Sequence, residues 1–264
     1  MPHASVRAAW CAVFFIVVAG IRPARAAAQA ADSAASPPLT PTIAAAPLQG
    51  HPLRWWEGLI AAGAVVGISA ADEPLRNSVQ RHRSDGADDV SNVFRHVGQP
   101  DVYGAVSLGM LGVGLLSHNG GLERAGGRVL ASIGLAYIAA GGSKVVTGRA
   151  RPYQSPTSAF QFHPFGGDQS LPSAHTTAAF AMATSLADDI HSVPAEIAFY
   201  GIATGTAWSR INDDDHWLSD TVLGAAIGIA SAKLVDGHWR LFRIRPPRFL
   251  VSPGGAAVVA HASF

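Results

Sequence analysis

The sequence predicts an all-α fold, a single helical bundle domain. Three observations carry that reading. The chain has 264 residues, 48% of them apolar in the broad sense and 14% charged, enough for one domain of ordinary size. Its apolar residues fall into six stretches that favour Ala, Leu and Met over sustained β-branched runs, and the period-two alternation of half-buried strands is missing. Polar turns and prolines separate the stretches, and no repeat of fixed period is visible.

The elements follow in chain order. Arg7 precedes an apolar run, Ala8 to Ile21, and then two small-x-small patterns, Ala24-Arg25-Ala26 and Ala28-Gln29-Ala30. Residues 1–26 therefore read as a secretory signal peptide, with cleavage as late as residue 30. An uncleaved anchor is the alternative, but the run is short of the roughly 20 residues that cross a bilayer. Cys11, the single cysteine, lies in this leader, so neither a disulfide framework nor a cysteine zinc site can be built. Its removal takes Arg7, Arg22 and Arg25 and no acid from the 19 basic and 18 acidic residues, which turns a formal charge of +1 into −2. Residues 27–52, rich in Ala, Ser and Pro, form a flexible lead-in.

The helical domain spans residues 53–240. Its stretches are Gly58–Ala71, Val102–Ser117, Val129–Gly142, Thr176–Leu186, Ala195–Trp208 and Thr221–Val235, with boundaries at Pro100, Pro152, Pro172 and Pro194. A 15-residue helix is about 22 Å long against a hydrocarbon core of about 30 Å, so length favours a soluble or peripheral domain over an integral one. The glycine pairs Gly63/Gly67, Gly201/Gly205 and Gly224/Gly228 argue the other way, since four-residue spacing suits close helix contact in membranes. Residues 241–264 form a C-terminal extension with an extended, Val-rich look. The scarcity of charge and the mean hydropathy of +0.22 exclude a nucleic-acid partner, which needs a dense basic face.

Three segments carry the chemistry. In Lys144 to Pro152, Lys144 and Arg151 stand two helical turns apart and leave one face before the proline ends the helix. In Leu171 to Thr177, Ser173 is placed as an N-cap, so the amides that follow offer an anion site with His175 at its rim. In Ser209 to Asp220, His216 and Asp220 are four apart, so the carboxylate reaches one imidazole nitrogen and leaves the other as nucleophile or base, with Arg210 close by. Singly, each has a plainer reading: a basic helix end, an ordinary cap, a capping acid beside a core-edge histidine. Together they supply what phosphoryl transfer without a metal requires, namely cations for the equatorial oxygens and a proton for the leaving oxygen.

The three segments resemble the tripartite signature of the superfamily of type-2 phosphatidic acid phosphatases, class A acid phosphatases and vanadium haloperoxidases. Its pattern is Lys, six residues, Arg-Pro; then Pro-Ser-Gly-His; then Ser-Arg, five residues, His, three residues, Asp. Lys144 to Pro152 and Ser209 to Asp220 fit in full, whereas Ala174 stands where the second motif has glycine. A methyl group is acceptable there if the backbone is helical. The resemblance implies the helical fold of that superfamily and a role for each matching residue. His216 would attack phosphorus with Asp220 orienting it, and His175 would protonate the leaving alkoxide and then activate water. Lys144, Arg151, Arg210, Ser173 and the amides from Ala174 onward would hold the phosphoryl oxygens, with no cofactor.

The expected function is an exported phosphatase of the bacterial periplasm or cell envelope, acting on phosphate monoesters or pyrophosphates, most of all lipid-linked ones such as phosphatidate, phosphatidylglycerophosphate or polyprenyl pyrophosphate. Two alternatives are a vanadate-dependent haloperoxidase, vanadate being then the cofactor, and a non-catalytic lipid-phosphate-binding envelope protein. Arg149, which no motif demands, is expected at the surface. Asp213, Asp214 and Asp215 would repel a phosphate if turned inward and are expected in a solvated turn, with discrimination against highly anionic groups as the alternative. His163 and Asp168 are loop residues near the pocket mouth, and Arg240, Arg243, Arg245 and Arg248 are a solvated basic end.

Overall fold

The computed structural model describes residues 50–241 and the backbone of 248–252 and 255–259. The signal peptide, nearly all of the lead-in, Arg243 and Arg245 lie outside the described residues. Among those described there are eight helices: α1 (Trp55–Ser69), α2 (Asp72–Arg81), α3 (Asp85–Val97), α4 (Pro100–Leu116), α5 (Gly120–Thr147), α6 (Ala174–Ile190), α7 (Val193–Asn212) and α8 (Leu218–Val235). The fold is all-α. Strand β1 (His51–Pro52) pairs in parallel with β2 (Trp239–Arg240) across the two ends of the domain, and β3 (Arg248–Ser252) and β4 (Gly255–Val259) form an antiparallel hairpin in the extension.

Each apolar stretch falls on a helix; the first two overrun their helix ends by one or two residues, and every helix starts before its stretch does. Asn119 caps α5 by accepting from the amides of Gly121 and Leu122 at 3.1 and 3.2 Å. The helix then runs 28 residues to Gly148, which is left-handed at φ +53° and returns its N–H to Lys144 O at 2.9 Å. The helix thus stops inside the first motif, at Gly148 and not at Pro152, and a Cβ at Gly148 would fall 1.8 Å from His163 O, so that turn requires glycine. Pro100 opens α4 at its first turn, where no helical N–H is needed.

Helix α6 is the centre of the bundle. It packs on α8, α7 and α5, and its buried face is built of Ala, Thr and Ser with Met182 and Leu186. Small residues let backbones close in. A Cβ at Gly224 would lie 2.8 Å from Ser173 O, and one at Gly228 would lie 2.4 Å from Thr177 O, so this glycine pair does serve close contact, of α8 with α6. Gly205 makes room for the Phe94 ring, whereas Gly63, Gly67 and Gly201 face open space and do not bear out the same reading.

Two helices were not foreseen. Apolar runs do not mark them, since α2 and α3 are polar over most of their length; each shows only a narrow face to the bundle, α3 through Ser91 and Val97. Ser84 caps α3 by accepting from the Ala87 amide at 3.3 Å.

The length argument for a soluble or peripheral domain also needs correction. α5 and α8 are long and apolar enough to cross a membrane, and α1 with α2, bent by 46°, would make a third span. The apolar stretches understated the helices because flanking residues join them. α1 buries none of its residues, with Trp55 79% exposed and Leu59, Ile60 and Val66 also outward, and α5 exposes Leu130, Leu135, Ile138, Val145 and Val146. So much outward apolar surface suits lipid better than water.

Candidate active site

Four helix ends meet at one end of the bundle: the last turns of α5 and α7 and the first turns of α6 and α8. A main-chain bond joins two of them, Ser173 N–H donating to Asp220 O at 3.0 Å. The first and third motifs are linked by Trp217 Nε1–H, which donates to Ala150 O at 3.0 Å. Every residue singled out from the three motifs lies at this end.

His216 is 4% exposed, in the turn between α7 and α8 that starts when its amide donates to Arg210 O at 3.1 Å. Its Nδ1 stands 3.5 Å from Asp220 Oδ2, one turn on, and makes no closer polar contact among the described residues. The expected pairing is therefore present as a loose contact. Burial pushes the His216 imidazole below its ordinary titration range against the pull of Asp220, and the charges of Lys144 and Arg151 push the same way. His175, in the first turn of α6, is lowered to about 4, first by burial and then by Arg210, His216 and Arg151, with Asp215 opposing. The two histidines and the cations thus feel one another.

Ser173 holds the N-cap position with its side chain fully buried, yet its hydroxyl caps no amide; it accepts from Thr176 Oγ1 at 3.1 Å. Among the described residues no acceptor takes the amides of Ala174, His175 or Thr176. Three donors at a helix N-terminus suit an anion. Ala174 is the first helical residue, so the family's glycine is not needed for backbone conformation here. Lys144 Nζ donates to Gln169 O. Arg151 and Arg210 converge on one carboxylate, Asp215. Burial lowers the Arg210 guanidinium, with Asp215 and Asp213 opposing, and its Nε is buried without a partner among the described residues.

Arg149 is the main correction. Expected at the surface, it is 2% exposed and is the hub of a buried network. Its Nη1 donates to Asp220 Oδ1 and Ser219 Oγ, both at 2.7 Å, its Nη2 to Asp72 Oδ2 and Ala159 O, both at 2.7 Å, and its Nε to Ala159 O at 2.9 Å. The guanidinium lies between the rings of Phe162 and Trp217 at 5.6 and 5.5 Å. Asp72 completes the network from α2, accepting from Ser219 N–H at 2.8 Å and Ser219 Oγ at 2.6 Å. Asp220 also accepts from Ser170 Oγ and, at 2.9 Å, from Trp217 N–H, so its carboxylate is fixed from every side. One signal in the sequence pointed this way: Lys144, Arg149 and Arg151 crowd three cations into eight residues of a charge-poor chain.

The acidic triplet is likewise not a free turn. Asp214 takes a bidentate pair from Arg76 at 2.6 Å on each arm, Asp213 joins Arg210 at 3.0 Å and Ser91 Oγ at 2.7 Å, and Asp215 bridges the two motif arginines. His163 and Asp168 pair with each other at 2.8 Å in an exposed loop. Among the described residues no three His, Cys, Asp or Glu side chains gather so as to hold a metal ion.

Residues 125–242 match the family model described as the PAP2 superfamily, and that stretch contains all three motifs. The matched stretch is a little under half of the chain. A lipid A 1-phosphatase of Porphyromonas gingivalis is 34% identical over 125 residues, which are 45% of this chain and 25% of that protein; the matched segment thus spans about a quarter of the relative's length. Two solved structures resemble parts of the chain, each with a TM-score of 0.49. Aquifex aeolicus LpxE is 20% identical, over 61% of this chain and 92% of that one. A transmembrane PAP2 type phosphatidylglycerolphosphate phosphatase from Bacillus subtilis is 21% identical, over 69% and 92%. The all-α assignment rests on the helices themselves.

Proposed function

We propose that the chain is a phosphoric ester hydrolase of PAP2 type that removes a terminal phosphate from a lipid-linked monoester or pyrophosphate, working as an integral membrane protein of the cell envelope. One observation carries the reading: a buried histidine, turned to a fixed carboxylate through Nδ1, shares its surroundings with Lys144, Arg151, Arg210, His175 and a helix N-terminus with three free amides. The name of the P. gingivalis relative agrees with a lipid phosphate as substrate.

The chemistry follows from the positions. Asp220 holds the Nδ1 side of His216, so Nε2 is the attacking atom; the P–N bond forms as the bond from phosphorus to the leaving oxygen breaks, and His175 delivers a proton to that oxygen. Water then attacks phosphorus, its proton passes to His175, the P–N bond breaks, and phosphate leaves. Lys144, Arg151 and Arg210, with the amides of Ala174 to Thr176, balance the charge on the equatorial oxygens throughout. No step calls for a metal. The site lies where α5 ends and α8 begins, which for two spans is the level of the head groups, so the phosphate can be processed while the acyl chains stay in the bilayer.

The test is phosphate release by the full chain in detergent, with EDTA present, from a chromogenic monoester, phosphatidate, phosphatidylglycerophosphate and a polyprenyl pyrophosphate. Turnover that His216→Ala abolishes, by at least about 10³-fold, is expected. Activity lost to EDTA, or kept by His216→Ala, would overturn the histidine route. A carbonate wash should leave the protein in the membrane pellet.

A further inference from the structure

We infer that Asp215 is a built-in competitor for the phosphate cradle and sets substrate class, favouring monoesters with an uncharged leaving group over pyrophosphates. The inference rests on the phosphatase reading above and deepens it. Arg151 and Arg210 are the two guanidiniums of the motifs, and the Asp215 carboxylate spans them, Oδ1 lying 3.3 Å from Arg151 Nη1 while Oδ2 accepts from Arg210 Nη2. Two oxygens of one anion between two guanidiniums is the arrangement in which a phosphoryl group would be held.

The neighbouring aspartates have other partners. Asp214 is turned to Arg76, and Asp213, though it reaches Arg210, also accepts from Ser91 Oγ and lies 3.9 Å from Arg95, tying α3 to α7. Asp215 alone of the three touches both motif arginines. It also lines a polar cleft of about 520 Å³ beside them, where Asp88, Asp89, Asp213 and Asp215 face Arg83 and Arg95. Carboxylates outnumber guanidiniums there, so a second phosphate that reaches this cleft meets like charge.

A phosphoryl group entering the cradle must displace this carboxylate or share the arginines with it. Sharing is tolerable for one phosphate whose leaving group is neutral. It is worse for a pyrophosphate, whose leaving half carries its own negative charge. Held loosely, the product phosphate also departs more readily, while Arg210 Nε, buried without a partner, remains as a donor that the carboxylate does not occupy.

Orthovanadate binding by the full chain in detergent, followed by vanadium NMR or calorimetry, tests the inference without any need for turnover. Asp215→Asn keeps the shape and removes the charge; it should bind vanadate about tenfold more tightly than the wild type, the effect of one nearby like charge partly screened by solvent. Asp215→Ser should shift binding the same way, and Asp214→Asn, at the Arg76 pair, should not. In turnover, the wild-type preference for a monoester over a pyrophosphate in kcat/KM should narrow by a similar factor in Asp215→Asn. Equal or weaker vanadate binding by both Asp215 variants, with unchanged far-ultraviolet dichroism, would overturn the inference even if the wild type is an active phosphatase. Absence of turnover in a wild type whose Asp215 variants bind vanadate more tightly would instead overturn the phosphatase reading and the substrate preference, leaving Asp215 as the competitor for the anion.

Discussion

The two ends of the α6–α8 pair carry buried carboxylates under opposite regimes. At the motif end, Asp220 and Asp72 share the guanidinium of Arg149, and Ser170, Ser219 and Trp217 add hydrogen bonds, so two fully enclosed carboxylates are held by one cation and a ring of donors. At the far end, Asp189 and Asp236 each leave an oxygen buried without a partner among the described residues, and Asp236 is raised to about 7, first by burial and then by the charge of Asp189. The lesson concerns donors rather than depth. Burial alone pushes a carboxyl toward its neutral form, and a deeper one stays fixed as an acceptor where donors converge on it.

Five substitutions would break or sharpen that contrast. The largest effect should come from Arg149→Met, which leaves Asp72 and Asp220 enclosed without their cation; a loss of about 3–5 kcal/mol in stability is expected from denaturation in detergent. Arg149→Lys keeps the charge and loses the planar fork. It should fold, and its kcat should fall about 10- to 100-fold as Asp220 and hence His216 drift, with KM little changed. Equal activity of Arg149→Lys and wild type would mean that the network serves stability only.

The next effect is on pH dependence. His175 is lowered to about 4, so in the ligand-free protein it is neutral at pH 7, and its protonated fraction grows as pH falls toward that value. If leaving-group protonation limits kcat/KM, the rate should rise about tenfold between pH 6 and pH 5, and burial, which lowers His216 as well, favours the unprotonated form that attacks. His175→Gln should flatten the slope. A profile that falls through this range in the wild type would remove His175 from the acid role.

At the far end the sign reverses. Asp236 has a folded-state pKa of about 7 against an ordinary 3.8, so between those values the folded chain holds a proton that the unfolded chain has lost. Stability from this group is full below about pH 3.8 and is lost as pH rises through about 7. Asp236→Asn should therefore raise the melting temperature at pH 8 by a few degrees and leave it unchanged near pH 4. The smallest effect belongs to Asp188→Asn: the Lys233 pair at 2.7 Å is partly exposed, and its loss should cost under about 1 kcal/mol.

The contrast also explains what was legible in the sequence. Lys144, Arg151, Ser173, His175, Arg210, His216 and Asp220 were found because each lies at fixed spacing from a neighbour in a short segment, and spacing survives into helical structure. Arg149 and Asp72 were not, because their meaning depends on a contact across 77 residues and on a polar helix without an apolar run to announce it. Asp215 was misplaced for a related reason. Its repulsion from a phosphate is legible in the triplet alone, whereas its attraction to two arginines depends on the fold that brings them together. The helix cores were readable from apolar stretches, and their true lengths were not, since capping by Asn119 and the left-handed stop at Gly148 decide where α5 begins and ends.

The bond from Ser173 N–H to Asp220 O has a mechanical consequence. It ties the helix whose first amides are free to the helix bearing Asp220 through main chain alone, with Gly224 and Gly228 keeping the two axes in contact below it. Lipids of different thickness tilt helices. Tied in this way, α6 and α8 would tilt as one piece, so the gap between amide cradle and carboxylate would hold its width from one lipid environment to another. Because no side chain makes the tie, substitutions at either position can alter the chemistry of the site without altering its gauge.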